Sequence, residues 1–194
     1  MWRRSRLALL IAVIAVCAAP GSAVADNVCK RGRPYVSGKE ARVVVANEHL
    51  WGCVRGQKRA HVVAYPLDFG DWRHVTVAGS YAALEIAESS QECESRDIRV
   101  VDLRSGRMWT KLAEAGGEAS CGGHPVSDLV LRSDGLVAFI AGRQVIRWSQ
   151  SRKRKILLDE SPKVAPTSLG FERGGLRWTV DGRREHADLP KRHG

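Results

Sequence analysis

The sequence predicts an all-β protein of about four antiparallel sheet units, preceded by a removable leader. Three observations carry that expectation. Short β-rich runs recur along the chain, separated by Gly, Asp and Ser at hairpin spacing. Matching positions return forty residues apart, Gly135-Leu136 with Gly175-Leu176 and Gly142 with Gly182. Convincing 3.6-residue apolar periodicity is nearly absent after the leader.

The leader comes first. Arg3, Arg4 and Arg6 form a positive n-region with no acidic residue before Asp26, and Leu7 to Ala19 is an unbroken apolar run. That run has signal-peptide length and falls short of the roughly 18 or more residues a membrane span needs. Pro20-Gly21 breaks the helix, and Ala23-Val24-Ala25 places small residues where a signal peptidase reads. Residues 1–25 are therefore expected to be a signal peptide. Residues 26–194 are expected to be a single domain, secreted or periplasmic, with no transmembrane span. Arg6 occupies a position that twin-arginine export wants apolar, and Val16 is too large to precede a lipoprotein Cys17.

Cleavage would leave 169 of the 194 residues, and the net charge would fall from +10 to +7 because Arg3, Arg4 and Arg6 depart. The arginines are scattered along the chain among acids, which reads first as a solvated surface; the partner is left open, with an extracellular protein or an anionic cell-surface polymer as the class such a charge allows. Nucleic acid is not expected. Arg152-Lys153-Arg154-Lys155 reads as a charged turn between apolar runs, and no aromatic residues interleave it as a stacking platform.

Four cysteines remain, Cys29, Cys53, Cys93 and Cys121, an even number that implies two disulfides with three possible pairings. Zinc competes weakly. His49 with Cys53, and Cys121 with His124, are the close Cys/His pairs, and both would have to converge. An oxidising compartment favours disulfides.

The units follow in order. Ala41–Ala46 and Ala60–Leu67 read as the middle strands of a first unit whose loop carries Cys53. Val75–Ala78, Tyr81–Ala87, Ile98–Leu103 and Met108–Leu112 give a second, stretched by a long loop around Cys93. Val126–Arg132, Leu136–Ala141, Gln144–Trp148 and Ile156–Leu158 give a third, with Ser133-Asp134-Gly135 and Gly142-Arg143 as turns. Thr167–Phe171, Leu176–Val180 and Arg183–Leu189 give a fourth with only three strands, and Arg33–Val36 is expected to close its open edge.

Four strands per unit at a period near 40 residues is the signature of propeller blades. The fold class is accordingly a small or partial β-propeller of about four antiparallel sheet units. Arg132–Phe139 (RSDGLVAF) resembles the Ser-Pro-Asp-Gly…Ala-Phe turn of TolB-type and WD-like propellers, with Pro missing. Ile98–Arg107 (IRVVDLRSGR) resembles their strand-and-turn, and the Trp-Asp pair is absent. The resemblance spans most of residues 26–194 and implies a fold with no particular activity.

Radial stacking needs strands that are apolar on both faces. Leu129, Leu131, Val137 and Phe139 are expected to line one seam, and Val130, Leu136 and Ile140 the other. Trp51, Trp72, Trp109, Trp148 and Trp178 are expected in cores or seams. In propeller geometry, Cys93 and Cys121 fall in neighbouring loops, Cys53 takes Cys93's place one unit earlier, and Cys29 lies near it. The expected pairs are Cys29–Cys53 and Cys93–Cys121.

No nucleophile elbow, zincin motif or phosphate loop occurs, and no cofactor is expected. His49, His61, His74, His124, His186 and His193 are scattered over different units. Glu85, Glu88, Glu92 and Glu94 lack the Asp/Asn/Gly pattern of a calcium loop and read as solvated charge. The expectation is a non-enzymatic binding or scaffold protein of unknown ligand. The alternative is a secreted hydrolase or lyase acting in the propeller channel, which the apolar inward positions disfavour.

Overall fold

The computed structural model describes residues 22–66, 70–89, 94–113, 124–149 and 154–189. They form four antiparallel sheets, each built from consecutive strands. The first holds β1 (Arg33–Ser37), β2 (Ala41–Ala46), β3 (His49–Val54) and β4 (Ala60–Ala64). The second holds β5 (Gly70–Ala78), β6 (Tyr81–Ser89), β7 (Glu94–Asp102) and β8 (Arg107–Leu112). The third holds β9 (Val126–Leu131), β10 (Val137–Ala141), β11 (Gln144–Ser149) and β12 (Arg154–Glu160). The fourth holds β13 (Gly170–Glu172), β14 (Gly175–Val180) and β15 (Arg183–Asp188).

β6 and β10 are buried on both faces, and alternation assigns each face to one seam. Val43, Leu50 and Val63 of the first sheet pack with Leu84, Val101 and Leu103 near the second. Ala83, Ile98 and Val100 pack with Leu129, Leu131, Val137 and Phe139 of the third. Ala138, Ile140 and Val145 pack with Leu176 and Trp178 of the fourth, and Val130 joins that seam, so Val130 and Ile140 take the expected side; Leu136 is buried but joins neither cluster. Trp148 and Trp178 are buried, while Trp51, Trp72 and Trp109 are half-buried.

The sheets thus stack in chain order. Among the described residues, no apolar cluster joins the fourth sheet to the first. The free face of the fourth sheet is polar. Arg177 points away from the seam that Leu176 and Trp178 fill, and pairs with Glu172 at 2.7 Å, which also has Arg184 at 3.8 Å. A terminal unit with a charged outer face is how stacked architectures end without aggregating.

The opposite end is covered by a helix that the sequence reading missed. α1 (Ser22–Arg31) runs across the expected cleavage position, with Lys30 and Arg31 in its last turn where cations suit the helix dipole. Val28 is buried against Val44, Cys53 and Ala60 on the outer face of the first sheet. Gly32 permits this closeness, since a Cβ there would meet Val44 Cγ2 at 2.7 Å.

Four expectations are corrected. Cys53 lies in strand β3, within the segment expected to be a loop. The run His49–Val54 hides as a strand because Gly52 interrupts it, and Gly52 is needed where Leu103 packs closest, 2.2 Å from a hypothetical Cβ. The expectation that Cys53 and Cys93 take matching loop positions fails at Cys53; Cys93 lies outside the described residues. The second unit is not stretched by a long loop: β6 and β7 are nine residues each and pair as far as Ser89 with Glu94.

The third correction concerns Arg33–Val36, which does not close the fourth sheet. β1 pairs with β2, because Ser37 to Ala41 is a tight local turn in which Gly38 donates to the Ala41 carbonyl at 2.8 Å. Local closure costs far less chain entropy than a return across the whole fold. Fourth, Arg154 and Lys155 belong to β12, so half of the expected basic turn is strand; Arg152 and Lys153 lie outside the described residues.

Candidate functional site

Two features stand apart from ordinary packing. The first is a charged group inside the seam between the second and third sheets. Alternation along β6 turns Glu85 to the same face as Ala83, and Arg96 lies on that face of β7, opposite Ala87. Glu85 is 0% exposed and Arg96 is 5% exposed. Arg96 Nη1 donates to Glu85 Oε1 at 3.0 Å, and the backbone N–H of Val126 donates to the same oxygen at 3.3 Å.

His74 completes the group. It sits where the β5–β6 register shifts between Arg73 and Thr76, with φ at 50°. A left-handed non-glycine backbone costs on the order of 1 kcal/mol or more. His74 Nε2 stands 3.8 Å from Glu85 Oε2, beyond hydrogen-bond distance, and Oε2 has no hydrogen-bond partner. The expectation that Glu85, Glu88, Glu92 and Glu94 are all solvated charge is corrected at Glu85. Glu88, on the opposite parity of β6, is exposed; Glu92 lies outside the described residues, and Glu94 opens β7. The sequence signal was a lone carboxylate inside the apolar run Ala82–Ala87, at a position whose neighbours point inward.

The second feature is the junction of α1 with the first sheet. Cys29 on α1 and Cys53 on β3 are joined by a disulfide across a separation of 24 residues. That pairing agrees with expectation, although both cysteines sit in regular elements. Cys93 and Cys121 lie outside the described residues. Beside the disulfide opens a groove of about 450 Å³, bordered by Lys30, Arg42, Arg55, Ser37 and Gln57. Arg42 is fixed there by donating to the Cys29 carbonyl. The nearby Glu40 carboxylate is drawn off to Arg104, 3.5 Å away. A second concavity of about 580 Å³ lies where Asn27 and Arg31 of α1 face Ala46 and Asn47. Close by, His49 stacks near Trp51 and meets the ring of Tyr65 edge-on at 5.4 Å.

The described histidines do not converge. His61 packs on Gly106, His124 on Gly142 and His186 on Gly175. His49 lies in the aromatic group and His74 beside Glu85, while His193 is outside the described residues. With Cys53 committed to the disulfide, the His49–Cys53 zinc pairing is not available. Among the described residues no helix is long and apolar enough to cross a membrane. No protein-family model and no curated protein gives a significant match to the chain.

Proposed function

We propose that this chain is an exported, non-enzymatic binding or scaffold protein, a partial β-propeller matured near Asp26. Several features support the propeller part of the reading. Each sheet is a consecutive meander, the sheets stack in chain order, and the first strands of neighbouring units approach one another, β1 with β5 and β5 with β9. Export is supported by the leader's composition and by a disulfide that suits an oxidising compartment. Cleavage near Asp26 retains Val28 and Cys29, the residues that dock α1.

One observation carries binding over catalysis. The open concavities flank α1 and are lined by neutral and cationic groups, whereas Glu85, the one fully buried carboxylate among the described residues, is sealed from solvent and held by Arg96 and Val126. An acid that touches no solvent reaches no substrate without the seam opening.

A hydrolase or lyase acting at the second seam is the alternative, favoured by the strained His74 and the unpartnered Glu85 Oε2. Incubating the protein and its His74→Ala variant with chromogenic esters, glycosides and phosphodiesters separates the two. The binding reading expects no turnover above buffer. Turnover that disappears in His74→Ala would overturn it.

A further inference from the structure

The positive charge of the chain is concentrated at one end. Residues 26–66 carry eight lysines and arginines against three carboxylates, which accounts for most of the +7 expected after leader removal. Three of these cations, Lys30, Arg42 and Arg55, border the groove beside the Cys29–Cys53 disulfide, and no carboxylate of the described residues lines it. Among the described residues none of the three makes an ion pair, although elsewhere Arg73, Arg104, Arg132, Lys163 and Arg177 all do.

The groove is also held in shape. The disulfide fixes α1 to β3, and the Arg42 guanidinium is oriented by the Cys29 carbonyl. Ser37 and Gln57 add a hydroxyl and an amide at the rim. Cations that do not have to abandon acidic partners lose little on binding an anion, and Arg42 is already oriented. A planar guanidinium with a mobile ammonium beside it matches a tetrahedral oxyanion better than a single carboxylate.

We propose that this groove is a binding site for phosphate-bearing anions, in which Lys30, Arg42 and Arg55 share one phosphoryl group or two adjacent ones. The proposal rests on the binding-protein reading and names its ligand class. The phosphoryl group has two possible sources, a soluble phosphate chain or a phospholipid headgroup.

The test uses the oxidised protein recovered from its secreting host. Calorimetric titration with inorganic tripolyphosphate and flotation with phosphatidylglycerol/phosphatidylcholine vesicles form the two arms. Lys30→Gln/Arg55→Gln removes two groove cations and leaves Arg42 to anchor α1, while Arg183→Gln/Arg184→Gln removes the same charge at the far end. The expected result is binding in at least one arm, weakened tenfold or more by the groove pair, with the distal pair within twofold of wild type and unfolding midpoints unchanged. Binding only tripolyphosphate assigns a soluble source, and binding only vesicles assigns a headgroup. No binding in either arm, or equal weakening by both pairs, overturns the site. If that happens with no enzymatic turnover, the binding-protein reading stands with a different ligand. Turnover lost in His74→Ala removes that reading itself.

Discussion

Trp178 Nε1, on the central strand of the fourth sheet, donates a hydrogen bond to Asp159 Oδ2 of β12 at 2.7 Å. Asp128 of β9 acts similarly, accepting from the Leu169 N–H at 2.8 Å. Two carboxylates of the third sheet therefore hold the fourth, whose other face meets no further sheet among the described residues. Asp159→Ala should cost about 1–3 kcal/mol by stranding a largely buried indole N–H. Combining it with Trp178→Phe should add less than the sum of the single effects. Urea unfolding of the four-protein cycle measures this, and strict additivity would argue against the tie.

Glu85 and Arg96 should show the asymmetry of a buried ion pair. Arg96→Met alone leaves a carboxylate without its cation at full burial and should destabilise by about 3 kcal/mol or more. Glu85→Leu/Arg96→Met, which removes both charges, should recover much of that loss. A double variant as unstable as Arg96→Met would mean that the seam depends on the pair for more than charge balance.

The disulfide should contribute about 3 kcal/mol in the chain-entropy model for a loop of this size. Cys29→Ser/Cys53→Ser is expected to lower the urea midpoint accordingly and to increase amide exchange across α1 first. An unchanged midpoint would show that α1 docks without help from the link.

Gly52 tests the first seam. A Cβ at this position would lie 2.2 Å from Leu103 Cδ2, so Gly52→Ala should cost about 1–3 kcal/mol through overpacking. Adding Leu103→Val should return part of it. Thermal unfolding reads both, and an Ala substitution without effect would mean that the first two sheets pack less closely than the structure shows.

Two carboxyl groups give pH dependences of opposite sign. At Asp134, burial pushes the pKa up, but hydrogen bonds and charge from Arg132 with the Leu136 N–H outweigh it, and the net pKa is lowered. Its stabilisation is therefore present above the ordinary Asp value near 4 and is lost as pH falls through the lower folded value. At Asp97, burial first and then Glu88 raise the pKa, so the ionised form is disfavoured in the fold at neutral pH. Asp134→Asn should destabilise at pH 7 and Asp97→Asn should stabilise; the Asp97 difference fades as pH falls through its raised folded value and is gone below about pH 4, whereas the Asp134 difference begins to fade only there. Denaturation midpoints at the two pH values decide it; effects of the same sign at pH 7 would contradict the assignment.

How much of this was legible in the sequence depended on whether the signal was local. The first three strands of the third sheet were legible to within a residue because Ser133-Asp134-Gly135 and Gly142-Arg143 are turn chemistry flanked by short apolar runs. β3 was missed because its glycine answers to Leu103, about fifty residues later in the chain, and nothing near Gly52 announces that contact. α1 was missed because its first residues coincide with leader punctuation and its stability comes from docking on Val44 and Cys53 rather than from its own periodicity. Cys29–Cys53 follows from the sequence even with Cys53 expected in a loop, because the N-terminal segment that carries Cys29 lies beside it; proximity of the two segments is enough. Glu85 looked like part of an acidic surface stretch until strand parity separated it from Glu88. The groove left a compositional trace, the excess of Lys and Arg before residue 66, but its shape depends on how α1 crosses β2 and β3.

The proposed binding surface lies at the disulfide-held end, and the Glu85 seam is then structural. Backbone amide chemical-shift mapping during titration with tripolyphosphate tests that placement most directly. Shifts clustered on Lys30, Ser37, Arg55 and Gln57, with His74, Arg96 and Val126 unmoved, are the predicted result. Shifts centred on His74, Arg96 and Val126 would contradict it and move the site to the seam that holds the buried acid.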